Sequence, residues 1–204
     1  MSLKNIQKLS FTKIEIEIIK FLFKHFKDKY NARQIARELL LNHANVNRLC
    51  SSMVHKNLLR KEVLANSIFY SFDYENKEAI KFIEYILSLE GVIYPKWLQV
   101  IMYELKKFNS VIQLGCLFGS SIKNAKFNDI DVLLMYDSKR PFEISKIKEE
   151  IRKAGLIEKP IRYVEITDKD ISKNKDDKIF YSIISDCLVF NNPTKYVEVI
   201  QCLR

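Results

Sequence analysis

Apolar residues in the first third of the chain recur at helical spacing. Ile14, Ile18, Leu22 and Phe26, separated by Lys and Glu, predict an amphipathic helix over residues 12–29. Charges thread through the apolar positions of MSLKNIQKLSFTKIEIEIIK, so the N-terminus reads as an amphipathic helix and not as a secretory signal. Asn31 suits the N-cap of a second helix, ARQIARELLL, with Ile35, Ala36 and Leu39 inward. A break at Leu41-Asn42-His43 precedes a third helix through NVNRLCSSMVHKNLL, with Val46, Leu49, Met53 and Val54 facing the core. The alternating runs RKEV and IFYSF, joined by a polar turn at Ala65-Asn66-Ser67, predict a β-hairpin.

The pattern then changes. NKEAIKFIEYILSLE predicts a helix capped by Asn76 and ended by Gly91, and a further helix begins at Pro95, where proline suits a first turn. The stretch from Gly91 to Tyr94 is the expected domain boundary. Beyond it, a continuous apolar strand runs to Gly119-Ser120, and a second strand, DIDVLLMY, follows. A helix ending AGLIEK leads to the strand PIRYVEIT, and a helix, a strand at Cys187–Phe190, a turn at Asn191-Asn192-Pro193 and a last helix complete the chain. The expected class is a two-domain α+β or α/β protein, with domains over residues 1–91 and 92–204. Asp176, Asp177 and Asp186 read as cap or turn residues.

Composition narrows this picture without naming a function. At 204 residues, 48% hydrophobic and 29% charged, the chain can bury one large core or two small ones. No run of about 18 apolar residues occurs, so no membrane-spanning helix and no membrane partner is expected. Cys50, Cys116, Cys187 and Cys202 are far apart and form no CxxC pair, which implies reduced thiols, a cytoplasmic setting and no zinc site. His25, His43 and His55 do not cluster and carry no assigned chemistry. The net charge of +9 is uneven, with 13 Lys/Arg against 7 Asp/Glu in residues 1–75. That concentration suggests a polyanion partner for the first third, although on charge alone a Lys-rich solvated surface is the stronger explanation.

Helix, helix, short turn, helix and hairpin, over about residues 12–73, resembles a winged helix-turn-helix. The resemblance implies that the third helix enters a DNA major groove. Its outward face carries Asn45, Asn47, Arg48, Ser51, Ser52 and His55, side chains that can bond base edges or phosphates, and Arg60 and Lys61 open the hairpin within reach of backbone phosphate. Winged helices also serve as protein-docking or dimerisation modules, and a homodimer is an open alternative.

Candidate chemistry lies in FGSSIKNAKFNDIDVLL, residues 118–134. Residues two apart in a strand face the same side, so Asp129 and Asp131 project together while Ile130 and Val132 face the core. Parallel carboxylates repel unless a cation lies between them, and Mg²⁺, which shares oxygen ligands with substrate phosphates, is the economical cation. An apolar residue, Gly-Ser, a spacer and Asp-apolar-Asp resemble the signature of the DNA polymerase β-like nucleotidyltransferase superfamily, most closely its minimal members, over roughly residues 95–200. This implies a mixed sheet flanked by helices, with Gly119, Ser120 and Ser121 holding nucleoside triphosphate and with Asp129 and Asp131 holding Mg²⁺. Eight residues separate Ser120 from Asp129, fewer than the family usually shows, and Asn124 stands near the place of a second small residue.

Active members of that family carry a third carboxylate on a later strand. Within PIRYVEIT the only acid is Glu165, whereas Arg162 stands where the family's acid often sits. Residues 162 and 165 face opposite sides of a regular strand, so only one can lie beside Asp131. With Glu165 there, the expectation is an enzyme: Mg²⁺-dependent transfer of a nucleoside monophosphate from a nucleoside triphosphate to a hydroxyl, on a separately encoded protein, a nucleic acid or a small molecule. With Arg162 there, the expectation is a non-catalytic DNA-binding regulator whose degenerate transferase domain senses nucleotide or mediates dimerisation.

Overall fold

The computed structural model describes residues 11–204; the expected helical reading of residues 1–10 lies outside the described residues. It is a mixed α+β protein with two small sheets, one antiparallel and one mixed. The chain divides into two compact units, one through Ala79 and one from Ile80. Among the described residues no helix is long and apolar enough to cross a membrane.

In the first unit, α1 (Lys13–Lys24) starts at a capping box in which Thr12 and Glu15 satisfy each other's backbone N–H groups. Glu15 is buried there. Burial alone would raise its carboxyl, but hydrogen bonds from Thr12 and the Lys56 ammonium at 3.1 Å outweigh it and lower it. Asn31 caps α2 (Ala32–Glu38) as its sequence predicts, yet the helix is shorter than ARQIARELLL. Leu40 adopts a left-handed φ of 54° and ends the run before Asn42, which caps α3 (His43–His55). Val46, Leu49, Cys50 and Met53 of α3 are buried.

The hairpin pairs β2 (Leu59–Leu64) with β3 (Ser67–Phe72), the last pair being Leu64 with Ser67. A two-residue strand absent from the sequence reading, β1 (Tyr30–Asn31), pairs on the other side of β3 and makes it central. Phe23, Phe72 and Tyr74 pack edge to face or tilted at 4.9–5.5 Å between ring centroids, geometry that aromatic quadrupoles favour.

The second unit is built on a four-stranded sheet in the order β6-β5-β4-β7. Its strands are β4 (Leu114–Phe118), β5 (Ile130–Met135), β6 (Ile161–Ile166) and β7 (Cys187–Asn191). β4 runs antiparallel to both β5 and β7, whereas β5 and β6 are parallel and joined by a helix over Pro141–Ala154, as a parallel crossover requires. Ile130, Val132 and Leu134 enter a core with Leu98, Met102, Phe108 and Phe190. Gly115 sits where no side chain fits, because a Cβ there would lie 2.4 Å from the Phe190 ring. Helices over Lys178–Ser185 and Pro193–Leu203 bracket β7, the first capped by Asp177 as expected of a cap residue.

Candidate functional site

Gly119 follows β4 at φ 77°, in the left-handed region that favours glycine. A Cβ there would lie 2.4 Å from Asp131 Oδ2. The backbone of the turn therefore touches the carboxylate, because Asp131 stands opposite Phe118 in the antiparallel β4–β5 pair. Asp129 sits one residue before β5, and its charge acts on Asp131. Burial first, and the Asp129 charge second, push the Asp131 carboxyl above its ordinary value, with Arg162 pulling the other way.

The β5–β6 register decides between Arg162 and Glu165. Asp131 pairs with Arg162, and Leu134 pairs with Glu165. Paired residues share a face, so Arg162 stands beside the acids, and its guanidinium donates to Asp129 Oδ2 at 2.8 Å. Glu165 lies on the opposite face and three residues further along, about 10 Å at the usual strand rise. There it accepts from Tyr136 Oη at 2.6 Å and binds Lys148. Those bonds lower its carboxyl despite the opposing effect of burial. The expectation that Glu165 completes a carboxylate triad is corrected: strand parity and register place a cation in that position.

This donor set does not fit a protein-held Mg²⁺ centre. The acids number two, one is already bonded to a guanidinium, and among the described residues no group of three or more His, Cys, Asp or Glu side chains could hold a metal. The Arg162 side chain is 70% exposed, so its bond to Asp129 adds little stability; what matters is which charge stands there.

The turn residues divide. Ser120 is exposed, whereas Ser121 is fully buried and donates its hydroxyl to Phe118 O at 3.3 Å, while its own carbonyl accepts from Trp97 Nε1 at 3.0 Å. The Ser121 side chain thus braces the turn. A cleft of about 380 Å³ opens beside Phe118 and Gly119, lined by Lys123, Lys178, Ser182 and Asp186 as well as apolar side chains. Lys178 gives an anion arriving at the Gly119 turn a charge partner, whereas Lys123 faces Asp186 at 3.9 Å across the same cleft. The sequence signals of the two lysines are faint: Lys123 follows the turn by four residues, and Lys178 opens a helix distant in sequence.

In the first unit, α3 keeps His43, Ala44, Asn47, Arg48, Ser51 and His55 exposed, with Asn45 and Ser52 half-buried. Arg48 donates to Asn45 Oδ1 at 3.0 Å. Lys61 is exposed, but Arg60 binds Asp73 at 2.8 Å and Glu75 at 2.7 Å, which neutralise it. A phosphate reaching Arg60 would compete with those two carboxylates. Sequence reasoning missed Tyr70, whose hydroxyl reaches Asn47 and Ser51.

Comparison with protein-family models, with curated proteins and with solved structures finds no match.

Asp131 makes stability depend on pH. Its carboxyl is raised in the folded state, so the native chain holds the proton more tightly than the unfolded chain. The contribution is complete below the unfolded value and is lost as pH rises through the folded value. Asp131→Asn, neutral at every pH, is therefore expected to melt higher than the wild type at pH 7. The two should converge below about pH 3.5, where an unfolded aspartate is protonated. Paired thermal melts across that range check the sign; a lower melting temperature for the variant at pH 7 would contradict it.

Proposed function

We propose that this chain is a DNA-binding regulator. Its first unit is a winged helix-turn-helix, and its second is a degenerate nucleotidyltransferase fold that senses nucleotide phosphate without transferring it. The observation that carries this reading is Arg162, in register with Asp131 and bonded to Asp129 at 2.8 Å, where a transferase needs its third acid. In-line transfer depends on cations clamping the attacking and leaving oxygens, and an acid pair in which Asp129 is already bonded to a guanidinium is poorly suited to recruit them. The Gly119 turn and the lysine-lined cleft beside it support retention of phosphate binding. The polar outward face of α3 and the concentration of positive charge in residues 1–75 support the DNA partner.

The test combines two assays on the full chain. Fluorescence anisotropy with a duplex of random sequence is expected to show binding that weakens as salt rises, and that changes when ATP is added without Mg²⁺. Incubation with α-labelled nucleoside triphosphates, Mg²⁺ and cell extract is expected to label no acceptor. Pyrophosphate release that disappears in the double variant Asp129→Asn/Asp131→Asn would reinstate the transferase.

A further inference from the structure

Tyr70 is 1% exposed, in the central strand β3, yet its hydroxyl reaches the outward face of α3. It donates to Asn47 Oδ1 at 3.0 Å, and Ser51 Oγ lies 3.4 Å from the Tyr70 hydroxyl oxygen. A phenol has one proton to donate. With that proton on Asn47, Ser51 is the donor in the second contact. Asn47 and Ser51 are one helical turn apart, so a single buried group orients two side chains of the outward face of α3.

For Asn47 the consequence is chemical. Its carbonyl oxygen is drawn toward a buried hydroxyl, which turns its amide N–H₂ outward. Asparagine reads adenine by accepting from N6 while donating to N7; Asn47 Oδ1 keeps a second lone pair, but it points inward to Tyr70, away from a base edge. Guanine offers two acceptors, O6 and N7, and asks only for donors. Asn45 repeats the arrangement, with its Oδ1 engaged by Arg48.

Resting on the DNA-binding reading above, we propose that Tyr70 is a positioning residue that sets sequence specificity: it holds Asn47 as a donor-only reader, so that α3 prefers guanine at the base pair Asn47 faces. Removing the hydroxyl frees the amide to pair with adenine.

The experiment is selection from a randomised duplex pool by the full chain, followed by sequencing, for the wild type, Asn47→Ala and Tyr70→Phe. At the base pair whose preference disappears in Asn47→Ala, the wild type is expected to favour guanine. Tyr70→Phe is expected to move the guanine-to-adenine ratio by about tenfold toward adenine, the scale of one bidentate base contact. An adenine preference in the wild type overturns the proposal. So does an unchanged guanine preference in a Tyr70→Phe chain whose circular dichroism is native. If Tyr70→Phe does not fold, the base favoured by the wild type decides alone. Duplex binding with no position that depends on Asn47 overturns this proposal and leaves the DNA-binding reading standing. Failure to retain any duplex overturns both.

Discussion

Gly119→Ala is expected to unfold the second unit more easily than any other single-methyl change at the site and to abolish triphosphate binding. Two costs coincide. The backbone there has φ 77°, which an L-residue adopts at a penalty of about 1–2 kcal/mol. The new methyl would also lie 2.4 Å from Asp131 Oδ2, so the turn or the carboxylate must shift, at a further cost of about 1–3 kcal/mol. A total of about 3 kcal/mol lowers the unfolding midpoint by roughly 10 °C or more in a domain of this size. Gly155 supplies the control. It has φ 62° at the end of the Pro141–Ala154 helix, and a Cβ there meets nothing within 4 Å. Gly155→Ala therefore isolates the backbone cost. Thermal melts of both variants give the contact cost by difference, and calorimetric titration with ATP reports the site. Equal destabilisation of the two variants would show that Asp131 moves aside without cost and that the turn does not depend on the close approach.

What the sequence disclosed here, and what it hid, follows from which interactions are local. Helices α1 and α3 are legible because Ile18, Leu22, Val46, Leu49 and Met53 recur at the helical period. The extent of α2 is misread because Leu39-Leu40-Leu41 continues an apolar run, and no glycine marks the left-handed Leu40 that stops it. The helix over Asp168–Lys173 is missed because six mostly charged residues show no period; its capping box of Thr167 and Asp170 was the available signal. The paired acids are legible because i and i+2 share a strand face. Strand parity also shows that only one of Arg162 and Glu165 can join them. Parity cannot choose between the two. That choice is the register of two parallel strands joined across a 14-residue helix, and it is fixed by how that helix packs. Tyr70 reads as one more inward position of an alternating strand, and nothing local couples its hydroxyl to Asn47, 23 residues away.

Arg162→Asp is expected to give the chain a higher divalent-metal affinity than the wild type. Without metal, a carboxylate opposite Asp131 puts three acids together. Asp131 is already held above its ordinary value by burial and by Asp129, and it would lose the opposing effect of Arg162. The variant should therefore melt below the wild type in chelator, more so as pH rises and the acids ionise. Mg²⁺ then has three oxygen-bearing side chains at one end of β5 and β6, and its binding to the folded state alone recovers stability. For a site whose dissociation constant is about a tenth of the metal concentration, the recovery is about 1.4 kcal/mol. Melts of wild type and variant, with chelator and with increasing Mg²⁺, separate the two charge arrangements. Metal should raise the variant's melting temperature and leave the wild type's unchanged. An equal metal-dependent rise in the wild type would mean that the exposed Arg162 side chain swings away and yields Asp129 to the ion. The transferase reading would then regain its cation, and Arg162 would become the group that Mg²⁺ displaces.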